Sequence, residues 1–586
     1  MKRLFSIAIT LTAALGLAAC GGTSGTDTTA PDAAPAAPTG LVLTGAEQTS
    51  LSFSWNASAG ADSYKWRLVK GVTSAAEGSV TQTSVSIPGL EAGTEYTFSV
   101  RAVSAAGMSV WSNLGASTQK APAPEPQPGG KVQCTDAPIV VGYSGTPVLG
   151  KSGLIRVLDS KGSEVDRIDL SDIATVDLLP DGTMIPKGAD ADNGKIAIGN
   201  DYVFNSFMDA LHSSNYRAVH YTPLRINGNT LEIKLHNEAL DFGAAYTVKI
   251  DDAVAGMPAE DISFTTKAAP ADEATIRVAA DGSADFCTVQ GALSYVSAKI
   301  KKDAPVTIEI ANGTYRELLF LRNKNNVTLK GASRERTVIA YPNNDSYETG
   351  SGASLSSKPR AGASIGKSGG RCLFLVESCD NLVIEGLTIE NTYSIPSHKG
   401  QAETIYFNAD GKRLTIGDCN LLSWQDTFLC KGKVWVHDSL IAGHVDFIWG
   451  YPEACLFENC EIRSRAGGYI VQARINNAAD KGFVFLGCTL TAESGVKDGS
   501  VYLARSGGDS SKWDNVTYVN CKMSSAIAPA GWFSSPAPNP ASPSAVSGWK
   551  EFGTTGASTA QRSTQGRLLT AEEAASYSSK QAVLGW

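Results

Sequence analysis

The chain has 586 residues, too many for one hydrophobic core, and a length of that order corresponds to about three or four domains. Its composition, 42% hydrophobic and 18% charged, is that of an ordinary globular protein. The formal net charge of −8 argues against nucleic acid as a partner, because phosphate binding needs a basic surface.

The N-terminus reads as a targeting segment. Lys2 and Arg3 precede an apolar run from Leu4 to Ala19 that ends in Leu17-Ala18-Ala19-Cys20-Gly21. This resembles a bacterial lipoprotein signal, with residues 1–19 removed and Cys20 lipidated as the first residue. An ordinary signal peptide with an incidental Cys20 is the alternative. Residues 20–37, rich in Gly, Thr, Ala and Pro, are expected to form a flexible tether. No later segment is apolar enough to span a bilayer. The expectation is an exported protein held to the membrane through Cys20, and Gly21 in place of Asp favours the outer membrane or cell surface.

Residues 38–120 follow as short alternating strands. Leu51-Ser-Phe53-Ser-Trp55, Tyr64-Lys-Trp66-Arg-Leu68 and Tyr96-Thr-Phe98-Ser-Val100 are separated by Gly, Ser and Pro turns, a β-sandwich pattern. Trp55, Tyr96 and Ile87-Pro-Gly-Leu90 make it similar to a fibronectin type III domain, for which a spacer or binding role is expected. Residues 121–130 (Ala-Pro-Ala-Pro-Glu-Pro-Gln-Pro-Gly-Gly) form a stiff linker. Residues 131–268 are a second β-rich module whose end, Leu231–Leu235, Tyr246–Ile250 and Phe264–Thr266, resembles bacterial Ig-like sandwich domains. Within it Gly145-Thr-Pro-Val-Leu-Gly150-Lys151-Ser152 matches a phosphate-loop pattern. Such a loop needs a following helix to cradle phosphates, and Gly153–Leu158 reads instead as a strand.

The last module, 274–586, opens with a turn at Asp281–Phe286. A helix is predicted from an N-cap at Thr288 to about Ile300, as a cap for the open end of a solenoid. Between Leu382 and Met523 one phrase, apolar-x-apolar-x-x-(Cys/Leu/Ser)-x-apolar, recurs six times. The copies begin at Leu382, Leu414, Val434, Cys455, Phe483 and Val516, 20 to 33 residues apart. Period-2 alternation gives a strand with one buried face, and the repetition gives stacked coils. Equal offsets in successive coils then lie about 4.8 Å apart. Asp426 is twelve residues after Leu414 and Asp446 twelve after Val434, so the repeat puts two carboxylates on one face, one rung apart. Cys419, Cys460, Cys488 and Cys521 share one inward slot and are expected to stack as thiols. A bridge among the ten cysteines after Cys20 is the alternative. Thr570-Ala-Glu-Glu573 reads as a capping box opening a C-terminal helix.

The excursions between coils carry Gln401-Ala402-Glu403-Thr404, Ser423-Trp424-Gln425-Asp426-Thr427, Gly443-His444-Val445-Asp446-Phe447-Ile448-Trp449-Gly450 and Tyr502-Leu503-Ala504-Arg505. Two carboxylates at that separation cannot both ionise cheaply. One is expected to keep its proton and the other to be an anion steadied by a cation, which supplies a general acid and a nucleophile. The amides can stabilise an oxyanion.

From about Ile276 to Trp586 the chain resembles the pectinesterases (pectin methylesterases). The matching stretches are Asp281–Phe286, Gly313-Thr-Tyr-Arg-Glu317, Gln401-Ala402, Gln425-Asp426-Thr427, Asp446-Phe-Ile-Trp-Gly450 and Gly531-Trp532. The resemblance implies an all-β fold class, with a right-handed parallel β-helix catalytic domain behind the two β-sandwich modules. It implies Asp446 as nucleophile on a methyl ester of pectin, and Asp426 as the acid for methanol and then the base for water. Gln401 and Gln425 would be oxyanion donors and Arg505 the partner that orients Asp446. No metal or organic cofactor is implied, and His437 and His444 lack the surroundings of a metal site. The expected partner is methyl-esterified pectin or a related polysaccharide, bound by a monomer. The family's Leu-Gly-Arg-Pro-Trp is here Leu503-Ala504-Arg505-Ser506-Gly507, without the tryptophan that packs on a sugar. Trp449, Phe447, Trp424 and Trp532 are the candidates to replace it, or else simply cover the coils. Related esterase or thioesterase chemistry on another ester, a non-catalytic polysaccharide-binding lipoprotein, and a retaining glycosidase are the competing readings.

Overall fold

The computed structural model describes residues 34–586 apart from 71–72, 91–92, 120–130, 173–175, 179–183, 187–202, 209–212, 220–222, 346–349, 355–369, 394–399, 557–558 and 560. The signal segment 1–19, Cys20, most of the 20–37 tether and the 121–130 linker therefore lie outside the described residues.

The chain divides into two units, Met1–Glu125 and Pro126–Trp586. In the first, strands Val42–Ala46, Ser50–Ser54 and Ser84–Pro88 form one antiparallel sheet. Ser63–Lys70, Thr73–Val80, Glu95–Ser104, Gly107–Met108 and Ser112–Ser117 form the other. The alternation in the sequence sends Leu51, Phe53, Tyr64, Leu68, Phe98 and Val100 inward, and the Phe53 and Phe98 rings stack at 4.0 Å.

The second unit holds both remaining modules. In residues 131–268 a five-stranded and a three-stranded sheet share a core of Ile139, Val157, Leu231, Val248 and Phe264. Strand Leu154–Asp159 follows Lys151-Ser152 directly, so the phosphate-loop look-alike has no helix behind it. This module is tied to the next by side chains. Asp136 accepts from the backbone N–H groups of Cys287 and Thr288, and Lys267 Nζ donates to the carbonyls of Gly282 and Ala284.

Residues 275–568 wind into a right-handed parallel β-helix. One wall is an eleven-stranded sheet running from Thr275–Val278 to Gly566–Leu568, with every neighbour parallel. All six repeats lie in register: Leu382 pairs with Leu414, then Val434, Cys455, Phe483 and Val516 follow in one column. Alike residues therefore stack on alike. Phe457, Phe485 and Tyr518 stack face to face at 4.8 and 4.4 Å. The cysteines of the repeat are buried free thiols, and Cys460, Cys488 and Cys521 each donate to a carbonyl of the preceding rung.

Helix Val289–Lys299 starts where its N-cap predicts, with Thr288 Oγ1 accepting from Gly291 N. The buried Glu317 carboxylate accepts from the next two N–H groups, those of Val289 and Gln290. Carboxyl oxygens thus meet the positive end of the helix dipole. Thr570 and Glu573 form the predicted capping box.

Candidate active site

A second set of strands carries the polar excursions. Phe374, Ile405, Phe428, Ile448, Val471 and Ala504 pair successively in parallel register. Asp426 and Asp446 each stand two residues before a member of this column, Phe428 and Ile448, and Asp426 N donates to Val445 O at 3.1 Å. The carboxylates are therefore one rung apart. Both residues have left-handed backbone, with φ of +65° and +48°, a conformation that Asp tolerates better than most side chains. At Asp446 the strand Leu440–Gly450 also slips register against Glu461–Ala473, and such bulges re-aim side chains. Gly443 is required at this bend: a Cβ there would sit 2.3 Å from Phe447 Cβ and 2.6 Å from Thr427 Oγ1.

The two carboxylates have different surroundings. Asp446, 4% exposed, is gripped by the fork of Arg505. The Arg505 Nε donates to Oδ1 at 2.7 Å and its Nη2 to Oδ2. Gln472 Nε2 adds a bond to Oδ2 at 2.9 Å. Asp426, 2% exposed, accepts at Oδ2 from Gln401 Nε2 at 2.7 Å and from Arg371 Nη2 at 3.1 Å. Arg371 is shared, since its Nε lies 3.0 Å from both oxygens of the buried Glu403. Burial, then the negative charge of Glu403, push the Asp426 carboxyl well above its ordinary range; Arg371 opposes this and Asp446 adds to it. Asp426 is thus the member whose proton is held more tightly than usual, sharing Arg371 with Glu403, and Asp446 is the one gripped by an arginine of its own. The arrangement offers an acid and an anion side by side, which suits acyl transfer.

Gln401 and Gln425 are bridged as parallel neighbours. The Gln401 amide donates one of its two N–H groups to Asp426. Gln425 is half-buried, and among the described residues no hydrogen bond engages its side chain, so its N–H groups are available to an oxyanion. Arg371, Glu403, Gln472 and Arg474 take part in the site without having been singled out in the sequence. Arg474 Nε donates to Gln472 Oε1 at 2.9 Å, and its guanidinium lies over the Trp449 ring at 4.9 Å. Gln472 pairs with Trp449 one rung on, and with Phe374 level with Ile405, Arg371 stands level with Ala402 rather than Gln401, so no shared offset marked either residue.

The pectinesterase family model matches residues 275–585, more than half of the chain and a span that includes these residues. The chain belongs to the pectinesterase family. The fibronectin type III model matches residues 36–115. Pectinesterase 31 of Arabidopsis thaliana is 33% identical over 260 residues, 44% of this chain and 76% of that protein. Pectinesterase A of Emericella nidulans is 28% identical over 257 residues, 43% and 71% of the two chains. Pectin methylesterase PemA from Erwinia chrysanthemi is a similar solved structure, at 25% identity and a TM-score of 0.42 over 54% of this chain and 98% of its own. A pectin methylesterase in complex with a hexasaccharide is also similar, at 25% identity and a TM-score of 0.43 over 53% and 97%.

Two of the aromatic residues expected to meet a sugar in this pectinesterase-family domain do not reach the surface. Phe447 is 0% exposed and belongs to the β-helix core, because the residue after each left-handed Asp turns back inward. Trp532 is 2% exposed and stacks on Trp549 at 5.4 Å. Trp449 shows only an edge, being 6% exposed. Trp424 is half-buried, with the Arg465 guanidinium 4.2 Å over its ring. Beside Arg505 the aromatic surface comes from elsewhere. Tyr469 lies 4.7 Å under the Arg505 guanidinium, and Tyr469, Tyr502 and Phe533 cluster with centroids 4.9 to 5.9 Å apart. All three are half-buried. Ser506, where the family has proline, bonds instead to Asp514 at 2.8 Å.

Proposed function

We propose that this chain hydrolyses the methyl esters of homogalacturonan to pectate and methanol through an acyl-enzyme on Asp446. The observation that carries the reading is the asymmetry of two buried carboxyls one rung apart: Asp446 has Arg505 to itself, whereas Asp426 shares Arg371 with the buried Glu403, and burial and Glu403 raise its pKa. Asp446 attacks the ester carbonyl, whose oxygen becomes an oxyanion facing the Gln425 and Gln401 amides. Asp426 gives its proton to the departing methoxide. Once anionic, Asp426 draws a proton from water, the water attacks the acyl carbon, and Asp446 leaves as a carboxylate. Each residue then returns to its starting state. Arg505 and Gln472 hold Asp446 in line, and the pre-set geometry supplies much of the rate. The half-buried Tyr469, Tyr502 and Phe533 offer faces for a neighbouring sugar ring.

The test is methanol release from methyl-esterified pectin. Asp446→Asn, nearly isosteric, is expected to abolish release while the fold persists; a folded variant with undiminished release refutes the assignment. In the same reading Cys20 carries lipid and the chain acts as a monomer on the outer membrane or cell surface, supported by Lys2, Arg3 and the Leu4–Ala19 run ahead of Cys20. Cys20→Ser is expected to move activity from the membrane fraction to the soluble fraction, and an unchanged membrane share refutes the anchor.

A further inference from the structure

Cys134 and Cys287 meet across the junction of two modules. Cys134 follows strand Lys131–Gln133 of the second module, and Cys287 immediately precedes Thr288, the N-cap of the helix on the β-helix end. Both are buried. Their sulfurs and an oxygen of Asp136 all lie within 4.8 Å of one another. The thiols of the repeat have a settled role, each donating to a rung carbonyl within a single module. The carbonyls that Cys134 faces do not need it: Gly282 O and Ala284 O each already accept Lys267 Nζ at 2.6 Å, while Cys134 Sγ stands at 3.9 and 3.4 Å from them.

The same three residues are also a candidate metal cluster, and two observations weigh against that use. Both oxygens of Asp136 are occupied: Oδ1 accepts from Cys287 N at 3.0 Å, and Oδ2 accepts from Thr288 N and Thr288 Oγ1 at 2.7 and 2.6 Å. The Lys267 ammonium stands beside the thiols, where a divalent cation would be repelled.

We propose that Cys134 and Cys287 form a disulfide that locks the second module onto the capped end of the β-helix. The bond forms before the two modules close, by exchange with an external disulfide, either a low-molecular-weight one or that of a thiol oxidoreductase. Either thiol can start the exchange as its thiolate; Cys134 is taken as the first. Its thiolate attacks one sulfur of the external disulfide, forming a mixed disulfide and expelling the first thiolate, which takes up a proton. Cys287, losing its proton, then attacks the Cys134 sulfur and expels the second. Two thiols are oxidised to one disulfide, and one external disulfide is reduced to two thiols. The cross-link closes a long chain segment, the case in which disulfides restrict the unfolded state most. The bond's occurrence in the cell rests on the proposed export, since oxidants of this class operate outside the cytoplasm.

The experiment uses the full chain, reduced and unfolded, then refolded with glutathione disulfide, alkylated in denaturant and mapped by non-reducing peptide mass spectrometry. A Cys134–Cys287 peptide pair, with the repeat cysteines alkylated, is expected. The oxidised chain should lose about 5 °C of Tm on adding dithiothreitol, and the double variant Cys134→Ser, Cys287→Ser should show no such dependence. Both thiols alkylated after refolding, or either linked to a different cysteine, overturns the proposal. So does stoichiometric zinc retained by the reduced chain that blocks oxidation. Peptide mapping of chain taken from cells without added oxidant separates the two readings: a pair absent there but formed with glutathione disulfide supports the site and counts against export alone.

Discussion

Asp426→Asn is predicted to act on activity and on stability with opposite signs. The Asp426 carboxyl is 2% exposed, and burial together with Glu403 raises its pKa well above the ordinary 3.8, despite Arg371. The sign follows from linkage. A carboxyl that holds its proton more tightly when folded contributes nothing below its unfolded value. As pH rises above 3.8, the unfolded chain releases the proton first, and the folded state loses about 1.4 kcal/mol for each unit by which its pKa is raised. Asparagine mimics the protonated acid and never titrates, so the variant should be more stable than the parent at pH 7, and the gain should vanish below about pH 4. Activity should fall about 10²- to 10⁴-fold, the range for a lost general acid and base. The assays are Tm against pH for both chains, and methanol release with kcat and KM separated. A variant less stable than the parent at pH 7 would mean that Asp426 is an anion paired with Arg371, since breaking a buried ion pair costs about 3–5 kcal/mol. That result refutes the proton assignment.

The other predictions concern positions around the dyad. Gln425→Leu should lower kcat by about 10²- to 10³-fold, the measured scale for one oxyanion donor, with little change in Tm, because its side chain makes no bond among the described residues. Gln401→Leu should lower both, as its amide also donates to Asp426 at 2.7 Å; equal Tm losses for the two variants would contradict this division. Arg217→Met tests whether the second module supports catalysis. Arg217, 0% exposed, extends from strand Ser213–Ala218 and donates to the carbonyls of Leu319, Gly370, Cys372 and Leu373, the last three beside Arg371 in the chain. Losing charged donors to those carbonyls should cost about 3 kcal/mol and lower kcat more than it raises KM; an unchanged kcat would show that Arg371 needs no such support.

Parallel strands repeat at one rung per coil, so sequence offsets convert directly into spatial neighbours. That is why the six phrases from Leu382 to Val516, and the matched offsets of Asp426 and Asp446, could be read as one column before any coordinate. The caps were legible for a similar reason: Thr288, and Thr570 with Glu573, bond within their own turn. Arg371, Glu403, Gln472 and Arg474 were not legible. Their partners lie on other coils, and the excursions between coils vary in length, so no fixed offset leads from one to the next.

Inward or outward direction at the excursions was also beyond the sequence. The left-handed backbone at Asp426 and Asp446 resets the alternation, and Phe447 therefore points into the core although it sits beside a site residue. Trp532 is buried by its stacking on Trp549, a neighbour supplied by the next coil. Local hydrogen-bonding patterns and a constant repeat determined the solenoid, its caps and the acid pair. Which carboxyl keeps the proton, and that Arg217, Cys134 and Asp136 of the second module reach the β-helix, were decided by the tertiary structure, because burial and charge depend on groups that only the folded chain brings into contact.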